Sequence, residues 1–250
     1  MTTLYAPPQT ASTIEYPDSD GQPMADNTEQ WEWIDKLKDN FDILYADRDE
    51  VFVAANLLWY PVEGDRDTKA APDVFVAFGR PKGYRGSYRQ WEENDMPPQV
   101  VFEILSPGNR AGEMTNKFLF YDRFGTEEYY LYDPQRFDFF GWLRSTTDGR
   151  LLPIANMNGW VSPRLDVRFE WTEGRALVLR YPDGRPFLSA VQLAAERDAA
   201  QVERDAAQAE RDAAQAERDT AQAERDAAQA RAEKLAERLR ALGLDPDAES

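Results

Sequence analysis

The chain contains no cysteine and no histidine. Those two absences exclude a thiol nucleophile, a zinc finger, a Ser-His-Asp triad, an imidazole general base and any histidine-based metal site. What remains is carboxylate, lysine, tyrosine and hydroxyl chemistry, and the metals suited to oxygen ligands are Mg2+, Mn2+ and Ca2+. Long apolar runs are missing too. No stretch approaches the roughly 18 apolar residues that a membrane-spanning helix requires, and Met1 to Asp20 lacks the basic start and apolar centre of a signal peptide. The expectation is a cytoplasmic protein without a membrane partner.

Positive charge is also scarce. The formal net charge is −17, which argues against a protein that coats nucleic acid, because phosphate contacts need basic surface. A local basic groove is still allowed. Residues 196–250 hold nine basic and fifteen acidic residues, so the body of the chain is acidic as well. With 42% hydrophobic and 12% aromatic residues in 250, the chain can bury a substantial core and reads as one domain plus an appendage.

The stretch from Pro72 to Lys117 organises the rest. Pro72-Asp73 heads an apolar run, Val74 to Phe78, and Glu103 sits in the middle of a second, Val100 to Leu105. Side chains alternate along a strand, so Glu103 shares its face with Val101 and Leu105, which does not read as a solvent face. A buried charge there needs compensation by a cation or hydrogen bonds. A divalent metal and Lys117 are the candidates; the plainer reading is a half-exposed glutamate on an edge strand, paired with a surface arginine.

Asp73 after Pro72, the run Glu103-Ile104-Leu105-Ser106-Pro107, Lys117, and Tyr129-Tyr130-Leu131-Tyr132-Asp133-Pro134 together resemble the Uma2 family of restriction-endonuclease-like proteins, which belongs with the PD-(D/E)XK nucleases. The resemblance runs from about Thr28 to about Leu188. It implies an α/β fold, a restriction-endonuclease-like core with a central mixed β-sheet flanked by helices. It also implies a metal-dependent endonuclease acting on DNA, with Asp73 and Glu103 binding Mg2+ or Mn2+ and the backbone carbonyl of Ile104 as a third ligand. The superfamily places a lysine two residues after the glutamate, where this chain has Leu105. The resemblance therefore implies that the lysine has migrated to Lys117 on the next helix. In the family, the first strand often carries an aspartate where this chain has Asn56.

Taken in order, residues 1–26 hold Pro7, Pro8, Pro17 and Pro23 among Ser, Thr and Asp and predict an extended, disordered leader. The main domain is expected over 27–190. A helix should start near Asn27 or Thr28 and bury Trp33, Ile34, Leu37 and Phe41. Glu32 on it is a candidate extra acid by the same resemblance; the alternative is a surface pair with Lys36. Strands are expected at Val51–Tyr60, Asp73–Phe78, Val100–Leu105, Glu128–Tyr132, Phe137–Leu143 and Arg175–Tyr181, with a helix from about Glu113 to Phe124 ended by Gly125. On that helix Lys117 lies beside Met114 and Tyr121 and should point inward. Trp142, Trp160 and Trp171 read as core or edge aromatics. Arg80, Lys82, Arg85 and Arg89, interleaved with Tyr84 and Tyr88, form a candidate phosphate-docking loop, together with Ser106. The alternative is a surface loop whose charges balance Glu92, Glu93 and Asp95.

From Glu196 a seven-residue unit, Glu-Arg-Asp-Ala-Ala-Gln-Val/Ala, begins five times, which indicates a long helix over 191–243, a candidate coiled coil, before a disordered tail at 244–250. Its apolar seam (Ala199, Val202, Ala206, Ala209 and onward) is thin, and the flanking positions are Glu and Asp. Two copies would therefore face acid with acid, so a weak homodimer or a partner protein is expected. Within the repeats no opposite charges stand three or four apart, so intrahelical ion pairs give no help.

Three functional readings follow: the metal-dependent DNA endonuclease; an inactive nuclease-like protein acting through its acidic helix; and a Ser-Lys hydrolase using Ser106 and Lys117, for which no oxyanion-hole signature is recognisable.

Overall fold

A computed structural model describes residues 14–19, 21, 25–108 and 111–242. The leader residues 1–13 and the tail residues 244–250 lie outside the described part. The chain forms two compact units, Met1–Val191 and Gln192–Ser250.

The first unit opens with α1, Thr28–Leu44, capped where the Asn27 side chain accepts from the Gln30 backbone N–H at 2.8 Å. It then lays down β1 (Val51–Ala55), β2 (Trp59–Tyr60), β3 (Val74–Phe78), β4 (Tyr88–Arg89) and β5 (Val100–Ile104). Next come α2 (Ala111–Phe124), β6 (Glu128–Asp133), β7 (Asp138–Arg144), β8 (Leu151–Pro153), β9 (Arg168–Glu170) and β10 (Val178–Arg180). Six strands make one sheet in the order β1-β3-β5-β6-β7-β8. It is mixed: β5 and β6 run parallel, linked by the α2 crossover, and every other neighbouring pair is antiparallel.

Each face of this sheet has its own core. Val74, Val76, Val100, Phe102 and Ile104 pack with Ile34, Leu37 and Phe41 of α1. Phe75, Val101 and Tyr129 point the other way and pack with Tyr121 of α2. Strand alternation thus puts Glu103 on the α2 face, with Val101.

Four details depart from the sequence reading. The single strand expected at Val51–Tyr60 is two, because Asn56 adopts a left-handed φ of 51° and turns the chain; β2 then pairs with β4 in a separate parallel pair. The strands β8 and β9 were not foreseen. The leader is not free throughout: Tyr16 packs edge-on to Tyr60 with ring centroids 5.2 Å apart and accepts from the Gly64 backbone N–H at 2.6 Å. A further buried carboxylate, Glu128, accepts from the Tyr130 hydroxyl at 2.8 Å, from the Ser162 hydroxyl and from the Arg164 backbone N–H at 2.7 Å. Burial raises its pKa, and those donors hold it against the segment that leads into β9.

The second unit contains α3, Ala190–Ala241, in which no residue is buried. Its repeats bring a contact the charge spacing did not suggest. Gln201 donates to Asp205 at 2.7 Å, and the bond recurs as Gln208–Asp212, Gln215–Asp219 and Gln222–Asp226. Amide-to-carboxylate pairs at i,i+4 each stabilise an isolated helix by about 0.2–0.5 kcal/mol.

Candidate active site

The register of β3 against β5 sets Val74 opposite Phe102, so one step further along the ladder Asp73 and Glu103 stand opposite each other on the α2 face. Both are buried, at 6% and 2% exposure. α2 supplies the compensation that the buried charge demands. Lys117 and Tyr121 are four residues apart and share a helix face. Lys117 Nζ lies 2.7 Å from Glu103 Oε2, and the Tyr121 hydroxyl donates to Oε1. Each carboxylate oxygen of Glu103 therefore has its own donor.

Asp73 is served differently. Its Oδ2 accepts from the Ile104 backbone N–H at 2.6 Å. Burial, and then the negative charge of Glu103, push its carboxyl pKa up to about 8, although Lys117, the Ile104 N–H and the Gln30 side chain all pull it down. Desolvation alone would lower the Lys117 pKa; the Glu103 and Asp73 carboxylates reverse that and hold it above the usual lysine range. At neutral pH Lys117 is an ammonium and Asp73 is mostly protonated. Burial, and after it the charge of Glu103, thus leaves Asp73 holding a proton.

The Ile104 carbonyl is held by α1, where the buried Gln30 amide donates to it at 2.9 Å. Gln30 is the residue the sequence reading missed. It sat next to a helix cap and was counted as neither core nor acid. Glu32, the candidate extra acid, is exposed. Two residues along a helix turn the side chain by about 200°, so Gln30 and Glu32 cannot serve the same face.

The basic loop is spent elsewhere. Arg85 binds Glu93 at 2.5 Å and lies over the Phe52 ring at 4.0 Å. Arg80 is 3.9 Å from Glu93, and Arg89 is 3.3 Å from Glu92. Lys82 donates at 2.7 Å to the carbonyls of Tyr45 and Ala46, at the C-terminal end of α1, where a cation complements the helix dipole. Tyr88 is fully buried, whereas Tyr84 is 94% exposed. These contacts are those of a loop that balances Glu92 and Glu93. Ser106, buried after β5, donates to Asp26.

The residues fit a hard divalent cation. Asp73, Glu103 and the Ile104 carbonyl are all oxygen donors, and each oxygen keeps a lone pair beyond its present bond. Mg2+ and Mn2+ accept one or two carboxylates and retain waters. Among the described residues no third acid completes a ready-made cage. The Tyr129 hydroxyl is buried with no hydrogen-bond partner, and burial followed by the Glu103 and Asp73 charges raises its pKa. One donor in the field of these carboxylates is thus unspent.

Among protein families, the model of the Uma2 family, described as putative restriction endonuclease, matches residues 7–186. Among solved structures, a putative nuclease belonging to DUF820 from Anabaena variabilis ATCC 29413 is similar, at 15% sequence identity and a TM-score of 0.40, covering 55% of this chain and 72% of that one. No curated protein matches.

Proposed function

Since the chain belongs to the Uma2 family of restriction-endonuclease-like proteins, we propose that it is a metal-dependent endonuclease hydrolysing phosphodiester bonds in DNA. The observation that carries this reading is the buried pair Asp73 and Glu103 with Lys117 held 2.7 Å from Glu103. A fold has no structural need for two mutually repelling carboxylates in its core, since an apolar replacement of a buried ionic cluster is commonly neutral or stabilising.

Asp73, Glu103 and the Ile104 carbonyl would hold Mg2+ or Mn2+. When bound, such an ion polarises the scissile phosphate and lowers the pKa of the attacking water. Lys117 remains an ammonium at neutral pH, so it acts as a donor and fixed positive charge and not as a proton acceptor. Placed at the open side of Glu103, with 22% of its side chain exposed, it can orient water or stabilise the extra charge of the pentavalent phosphate. Tyr121 and Gln30 are positioning residues: the first fixes the Glu103 carboxylate, the second the Ile104 carbonyl.

The test is cleavage of labelled single-stranded and duplex DNA with Mn2+, Mg2+ or EDTA, comparing the protein with Asp73→Ala and Lys117→Ala. Cutting should require metal, vanish in Asp73→Ala and fall by about 10²-fold or more in Lys117→Ala. Activity that survives Asp73→Ala would refute the site. One observation favours the second reading, an inactive nuclease-like protein acting through its acidic C-terminal helix: the arginines of the basic loop are paired with Glu92 and Glu93. Failure to cut, together with no Mn2+ bound in calorimetry, would overturn the catalytic reading and turn the search to what the C-terminal helix binds.

A further inference from the structure

The strand face that carries Asp73 and Glu103 continues past the C-terminal ends of β5 and β6. Glu103 and Leu105 share that face, and the β5–β6 register, Ile104 opposite Tyr132, brings Asp133 alongside Leu105. At this edge lies a cavity of about 130 Å3 lined by Leu105, Ser106, Pro107, Asp133, Gln135 and Arg136. In an open α/β sheet the carboxyl ends of parallel strands are where ligands bind.

The lining is predominantly polar and its shape is fixed by the backbone. Asp133 Oδ1 accepts from the backbone N–H groups of Gln135 at 3.0 Å and Arg136 at 3.1 Å, a side-chain turn that presents the Arg136 side chain at the rim. Arg136 is the cation of this lining. Its guanidinium is 79% exposed and stands 3.7 Å from Asp133, longer than a hydrogen bond and screened by solvent. Arg85 and Arg89 hold closer acids, Arg80 shares Glu93 with Arg85 and is itself only 14% exposed, and Lys82 is tied to carbonyls. Arg136 is instead a guanidinium at low cost of release, three residues beyond the strand that flanks Glu103.

We propose that this cavity is a subsite for a backbone phosphate of the nucleic acid, next to the one held at Asp73 and Glu103, with Arg136 as its contact. The inference rests on the nuclease reading. A planar guanidinium matches two phosphate oxygens, and the Gln135 side chain adds a neutral donor of the right kind. The subsite positions the strand and touches no reacting atom. It carries no sequence information, because phosphates are the same at every base.

The test is fluorescence anisotropy with a labelled oligonucleotide, in Ca2+ and across a salt series, on the full chain, Arg136→Ala, Arg136→Lys and the control Arg175→Ala. Arg136→Ala should weaken binding about tenfold, equally for unrelated sequences, and reduce the slope of log affinity against log salt by about one contact. Arg136→Lys should keep the slope and lose only part of the affinity, and Arg175→Ala should change neither. With Mg2+ or Mn2+, Arg136→Ala should raise KM and leave kcat nearly unchanged. An Arg136→Ala protein that binds and cuts like the parent overturns the subsite while leaving the nuclease reading intact. A parent protein that binds no oligonucleotide overturns both.

Discussion

Asp73 is an acid that burial keeps protonated. Buried against Glu103, it holds its proton up to about pH 8, whereas the same carboxyl in an unfolded chain has the ordinary value of 3.8. Between those two values the folded protein binds more protons than the unfolded one, so stability is fully present below 3.8 and is lost as pH rises through about 8. The loss should be several kcal/mol, since every tenfold difference in proton affinity between the two states corresponds to about 1.4 kcal/mol. Urea unfolding in EDTA at pH 5 and pH 8 should show the protein weakening with pH and the Asp73→Asn variant weakening much less. Equal pH slopes would show that Asp73 is ionised throughout. Mg2+ or Mn2+ should restore stability more at pH 8 than at pH 5, because about half of the Asp73 carboxyls are already ionised there and fewer protons have to be displaced.

At the scale of elements, the site is the seam between β5 and α2. Lys117 and Tyr121 fasten one helix face to one carboxylate. Lys117→Met would leave Glu103 without its cation and should destabilise the protein by about 3–5 kcal/mol. Tyr121→Phe keeps the ring and removes only the donor, for about 1–3 kcal/mol. Both act through Glu103, so the double variant should cost measurably less than their sum in denaturant titrations; strict additivity would mean that the two donors are not coupled. This seam was half legible in the sequence. A carboxylate within Val-Val-Phe-Glu-Ile-Leu announced itself by breaking an apolar run, and helical spacing turned Lys117 toward the sheet. Tyr121 was hidden because a tyrosine in an aromatic stripe reads as core, and it is core by its ring while its hydroxyl serves the site. Gln30 was hidden because its partner is a backbone carbonyl 74 residues away, and no local pattern encodes a main-chain acceptor. The basic loop misled for a related reason: spacing shows four cations, but only the fold shows that Glu93 lies between Arg80 and Arg85.

For the molecule as a whole, the governing quantity is its negative charge, and on α3 that charge is expected to oppose self-association. The helix extends 52 residues with no buried side chain, and its i,i+4 Gln–Asp bonds tie the acids to the helix surface along the flank of the alanine seam. Alanine buries little apolar area, so the attraction between two such seams is weak. Repulsion between the Glu and Asp rows works against it at every heptad in either orientation. Salt separates the two terms, because it screens charge and leaves apolar burial intact or strengthened. The Debye length falls from about 30 Å at 0.01 M to about 3 Å at 1 M. Sedimentation at fixed protein concentration should therefore show a monomer at low salt and increasing self-association as sodium chloride rises. Replacing Glu203, Glu210 and Glu217 by Gln should produce association already at low salt. Dimers that are tight at low salt and loosen as salt rises would instead require attractive charge pairs across the interface, and would rule out the alanine seam as the contact.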